Sequence, residues 1–144
     1  MIEQDTIRLL RECDAGVKMG IQSIEEVQRS VRDRELAGSL ERCRKGHIAL
    51  EREIRDALIR FGDEGKDPDP VAEKMSWLKT NVKLMVDDSD KTIAELMMDG
   101  CHMGVKSLSR YLHQYRAAHE DVKKIAAKLI HEEKHLSEQM EHYL

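Results

Sequence analysis

Met98-Asp-Gly-Cys-His-Met-Gly-Val-Lys-Ser-Leu108 repeats, 84 residues downstream, the pattern of Asp14-Ala-Gly-Val-Lys-Met-Gly-Ile-Gln-Ser-Ile24. At that offset Gly16/Gly100, Met19/Met103, Gly20/Gly104 and Ser23/Ser107 are identical, and Ile21/Val105 and Ile24/Leu108 are similar. A repeat of this kind points to two related halves of about 55 residues joined by an insert. Both copies sit in long stretches whose apolar residues recur every three or four positions. The repeated unit is therefore read as a helical hairpin.

Outward from the first copy, a helix is predicted from Asp5 to Val31, with Ile7, Leu10, Val17, Ile21, Ile24 and Val31 on its inner stripe. Asp14 falls on that stripe. The charged run Arg32-Asp33-Arg34 marks the bend, and a second helix is predicted from Glu35 to Phe61. Its stripe is Leu36, Leu40, Cys43, His47, Leu50, Ile54, Leu58 and Phe61. Two glycines and two prolines between Gly62 and Pro70 end that helix. Asp69-Pro70 is a start signal, an acidic N-cap followed by a first-turn proline.

A shorter helix is predicted from Pro70 to Val86, with Val71, Met75, Leu78, Val82 and Met85 inward and Trp77 off the stripe. Asp87-Asp-Ser-Asp90 breaks the chain and caps the next helix. It is one glycine short of a calcium loop. The third long helix is predicted to reach Tyr115 with Ala94, Met98, Cys101, Val105, Leu108, Leu112 and Tyr115 inward. The fourth runs from His119 to the end with Val122, Ile125, Leu129, Leu136, Met140 and Tyr143 inward, interrupted by Glu132. The expected fold is all-α: a ferritin-like four-helix bundle of two hairpins, 5–61 and 90–144, with a crossover over 62–86. The whole of 1–144 is read as one domain.

Composition agrees. The 144 residues are 40% hydrophobic and 36% charged, but only 3% aromatic, which favours helices over sheet. The net charge of −4 is spread over interspersed signs, with no basic tract or aromatic platform, which argues against nucleic acid. No apolar run approaches the roughly 20 residues of a membrane span. The N-terminal residues lack signal-peptide character, and the three cysteines show no framework spacing. A cytoplasmic protein with free thiols is expected.

A ferritin-like di-metal site takes a carboxylate from one helix of each hairpin and Glu-x-x-His from the other, because Glu and His at i, i+3 share a face. The second half supplies Asp99 and Glu132-Glu-Lys-His135. The first half departs from the pattern: the positions matching Asp99, Glu132 and His135 are Ala15, Ile48 and Glu51. Asp14 and His47 are near neighbours of the expected positions, and Arg44 stands three residues before His47. A six-ligand di-metal centre is not expected. The candidate ligands for a single transition metal ion are Asp14, His47, Glu51, Asp99, Glu132 and His135. The competing reading has them as buried polar groups satisfying one another. Cys43 and His47, at i, i+4, form a thiol–imidazole pair that is more often simple core packing than catalysis.

Glycine inside a helix costs about 1 kcal/mol relative to alanine. The recurring pairs Gly16/Gly20 and Gly100/Gly104 therefore imply close approach. Either the first and third long helices cross tightly, or a homodimer forms on those faces.

The Asp14-Ala-Gly16 hairpin, the Gly-rich acidic segment before Pro68, Met75-Ser-Trp-Leu-Lys79 and Asp99-Gly-Cys-His-Met-Gly104 together span nearly the whole chain. On these elements the protein resembles the small bacterial ferritin-like proteins of an uncharacterised family, a domain of unknown function. The resemblance implies a ferritin-like bundle and no particular activity. A non-enzymatic binding or assembly module is the expectation, and a degenerate metal-binding site for iron, manganese or zinc is the alternative.

Overall fold

A computed structural model describes the backbone of residues 2–144 and the side chains of 3–73 and 79–144. Every regular element in it is helical: α1 (Ile2–Gln28), α2 (Arg34–Arg60), α3 (Pro70–Val86), α4 (Asp90–Gln114), α5 (Glu120–Met140) and a closing 3-10 turn (Glu141–Tyr143). Each start has a local cause. The Leu36 amide donates to the Asp33 carboxylate, Val71 to Asp69, and Thr92 to the Ser89 hydroxyl. The bend in the charged run thus contains a proper N-cap, and α2 begins at Arg34. Gly62 and Gly65 adopt positive φ (69° and 88°) directly after α2, a conformation other residues reach only at a cost.

Tertiary hydrogen bonds set the helix directions. At one end the Ala117 and His119 amides donate to Asp5 and Thr6, so α1 and α5 start together. At the other, the Arg32 and Asp33 amides donate to Asp90, so α2 and α4 start together. The crossover must therefore travel the length of the molecule; its first part lies on α1 and its helix, α3, packs against α4. Ion pairs Arg11–Asp63, Lys66–Glu12 and Lys18–Asp67 tie down its beginning, and Arg32–Asp88 its end. The hairpins α1–α2 and α4–α5 pack against each other through α2·α5 and α1·α4.

Two apolar clusters fill the interior. One gathers Leu9, Leu10, Val17, Leu50, Ile54, Val122 and Leu129. The other gathers Ile24, Leu36, Leu40, Ile93, Met97, Leu136 and Met140. Most residues of the stripes expected for the four long helices face these clusters; Ile7 and Val105 are half-buried and belong to neither.

The crossover helix differs from expectation. Val71, Val82 and Met85 are 72%, 57% and 87% exposed, although the periodicity placed them inward. Among the described side chains of α3, Leu84 is the one that packs against the second cluster. The reason is geometric: α3 lies outside a pair of helix layers that already bury one another. Met75, Trp77 and Leu78 lie outside the described side chains. Among the described residues, no helix is long and apolar enough to cross a membrane.

Candidate functional site

Between the two apolar clusters lies a polar layer. His47, 1% exposed, projects from α2, and Glu133, 9% exposed, from α5. Helices α1 and α4 make room for them with glycines. A β-carbon on Gly20 would stand 2.7 Å from His47 Cδ2, and one on Gly104 would stand 3.4 Å from the Glu133 carboxylate. Among the described residues, Gly16 meets only Leu129, at 3.9 Å, and Gly100 meets nothing within 4 Å. The second glycine of each pair is therefore the one that matters, and what comes close is a side chain. The expected tight crossing of the first and third long helices is not how these glycines are used.

Helical spacing places Cys43 one turn before His47 on the inner face of α2. His47 Nδ1 donates to the Cys43 carbonyl at 2.9 Å, with Cys43 Sγ 3.5 Å from the same nitrogen. A carbonyl only accepts, so this bond puts a proton on Nδ1. Nε2 then faces Glu133 Oε1 at 2.8 Å. Burial works against a charged imidazole, but the bonds to Cys43 and Glu133 outweigh it and raise the His47 pKa to about 10. Nε2 therefore donates to Glu133 at neutral pH. Burial pushes the Cys43 thiol up, and it pushes up Cys101, which also faces Glu133. Cys13, in the other cluster, is pushed up to about 12 by burial. All three are free, buried thiols.

A second acid completes the layer. Donor atoms of Cys43, His47 and Glu132 all lie within 4.8 Å of one another. Glu132 is half-buried, and its carboxylate lies over Gly46: a β-carbon there would be 2.6–2.8 Å from its atoms. Of the six residues singled out from the sequence, the structure brings together His47 and Glu132.

The other four lie elsewhere. Asp14 is buried, but it accepts from Lys18 Nζ and from the Lys66 amide, both at 3.0 Å. Glu51 pairs with Arg55 at 3.8 Å, and exposed Asp99 with Lys79 at 3.9 Å. His135 is exposed and stacks on His131 at 6.3 Å between ring centroids. Glu132 and His135 share one broad face of α5, but that face straddles the core boundary, and only the Glu132 side reaches inward.

Glu133 and Gly46 were not among the expected site residues, and Cys43 was expected as an inward residue paired with His47 and not as a metal ligand. Gly46 was the legible signal, a glycine in mid-helix with no turn to explain it.

Thiol, imidazole and carboxylate together match the donor preferences of zinc and other borderline transition metals, and not those of magnesium or calcium. Binding a cation requires His47 to give up one of its two hydrogen bonds together with that ring proton, and Cys43 to lose its proton. Comparison with protein-family models, with curated proteins and with solved structures finds no match.

Proposed function

We propose that this protein is a ferritin-like four-helix bundle that binds one transition metal ion in its central polar layer, through Cys43, His47 and Glu132. The observation that carries the reading is the convergence of three chemically different donors within 4.8 Å, from two helices, between the two apolar clusters. Glu133 is the positioning residue, holding the His47 ring from the opposite side at 2.8 Å. The helix directions and the long crossover support the ferritin-like arrangement, and the departures in the first hairpin argue for one ion in place of two. The bound ion would supply Lewis acidity or a redox centre, and no substrate is implied.

Elemental analysis of the untagged protein, with melting before and after chelation, tests this. About one equivalent of metal is expected, together with a Tm that rises with added zinc, since a ligand bound only by the folded state stabilises it. Cys43→Ser and Glu132→Gln should abolish the response. A metal-free protein whose melting ignores zinc and cobalt would overturn the reading.

One observation favours a second reading, a non-enzymatic binding or assembly module with a purely structural polar layer. Among the described residues, no buried side-chain nitrogen or oxygen lacks a hydrogen-bond partner. The same metal analysis separates the two.

A further inference from the structure

If a metal reaches the polar layer, it needs a way in. Cys43 and His47 are 5% and 1% exposed, and the apolar clusters close the interior on both sides of them along the bundle axis. Towards α1 the ring is covered by Gly20, and towards α4 the layer is covered by Glu133. The direction left is the seam between α2 and α5. That seam holds a groove of about 450 Å³ lined by Gly46, Ala49, Ala127, Lys128, His131 and Glu132.

Glu132 belongs to both places. It is one of the groove's walls and one of the three converging donors. Its carboxylate lies between them over a point where α2 has no side chain, Gly46. A glycine there lowers helix stability, and the close approach of Glu132 accounts for it. At the outer side, exposed His131 stands next to Glu132 in sequence and in the groove. The cation on the rim, Lys128, is paired with Glu53 at 3.0 Å, so its charge is compensated.

We propose that this groove is the portal through which the metal ion enters, with His131 as the first ligand at its mouth and Glu132 as the carboxylate that carries the ion inward past Gly46. The inference rests on the metal-binding reading. The ion exchanges a water for the His131 imidazole, then for a Glu132 oxygen, and then meets His47 and Cys43, with the Cys43 proton and one His47 ring proton leaving to solvent. A station of this kind speeds uptake and release together and leaves the equilibrium unchanged.

The test uses cobalt(II) as the probe, because its visible absorption reports ligand geometry. Uptake by the metal-free full-length protein is followed by stopped flow, and the Kd is measured by competition with a chelator. His131→Ala should slow uptake by about tenfold, the scale on which residues just outside a metal's ligand set act, with the Kd unchanged. Gly46→Ala should slow it as well, because a β-carbon there would collide with Glu132. His113→Ala, on α4 and outside the groove lining, should match the wild type.

If the wild type takes up no cobalt, the metal-binding reading fails and the portal with it. If the wild type binds but His131→Ala and Gly46→Ala load at the wild-type rate, only the portal is overturned. A His131→Ala protein with a weakened Kd would make His131 a ligand of the bound ion and overturn its role as a station.

Discussion

Asp14 and Glu133 are both buried acids on the inner faces of their helices, and the structure uses them differently. Asp14 takes an ammonium and a backbone amide, both at 3.0 Å, and thereby anchors the start of the crossover through Lys18 and Lys66. Lys18 also reaches Asp67, so the cluster closes on itself. Glu133 instead meets one imidazole, with Cys101 and two glycines beside it. The first arrangement is a fastener whose partners are fixed cations and a peptide N–H. The second keeps exchangeable protons and donor atoms in one place. Burial of an acid alone therefore does not identify a site, whereas the chemistry of its partners does.

The largest effect that could break this comparison is expected at His47. His47→Ala leaves Glu133 without its partner inside the core and should cost about 3–5 kcal/mol in urea unfolding. The double change His47→Leu with Glu133→Met removes both polar groups and should recover most of that loss. Equal instability of single and double variants would mean that the ring's shape matters more than the pair.

The same pair predicts a pH dependence for the metal-free protein. The folded pKa of about 10 lies above the ordinary 6.5, so the stabilisation is complete below about 6.5 and lost as pH rises towards 10. Thermal melts across that range should fall for the wild type and stay flat for the double variant.

Gly20→Ala comes next. Its β-carbon would meet the buried His47 ring, for a loss of about 1–3 kcal/mol. Gly100→Ala, at a solvent-facing position of the repeat with open space, should instead gain up to about 1 kcal/mol from helix propensity. Opposite signs confirm that the second glycine of a pair makes room for the polar layer and the first does not, and losses at both would contradict it.

At the fastener, Asp14→Ala should cost about 1 kcal/mol, because the part-buried Lys66 amide loses its acceptor. Unlike changes at His47, it should leave metal binding intact.

The smallest effect is expected at the exposed end of the crossover. The hydrogen bond from Arg11 holds the Asp63 carboxyl below its usual value. Its contribution is present above the ordinary carboxylate range and lost as pH falls through that lowered value. Arg11→Ala should move the Asp63 titration, followed by NMR, upward, and an unmoved titration would exclude the bond in solution.

Much of this architecture was legible locally. Asp69-Pro70 and the break before Asp90 mark helix starts because capping needs only neighbouring residues, and the long stripes from Leu36 to Leu58 and from Val122 to Met140 reveal buried faces because a helix turns at a constant rate. His47 was legible as an inward polar residue for the same reason. The offset repeat drew attention to Gly20 and Gly104, although not to what they would touch.

What lay beyond the sequence is the rotation of each helix about its axis. Successive residues differ by about 100°, so a small rotation of α5 decides whether Glu132 or Glu133 enters the core, and here Glu133 does while Glu132 rests on Gly46. Likewise Val71, Val82 and Met85 follow an apolar period in the sequence, yet they face solvent because the four long helices already pack against one another. By itself the sequence determined where helices begin, end and turn a face inward, since those depend on neighbours a few residues apart. Only the tertiary structure decided which side chains of different helices share a point in space, because that depends on how rigid elements settle against each other.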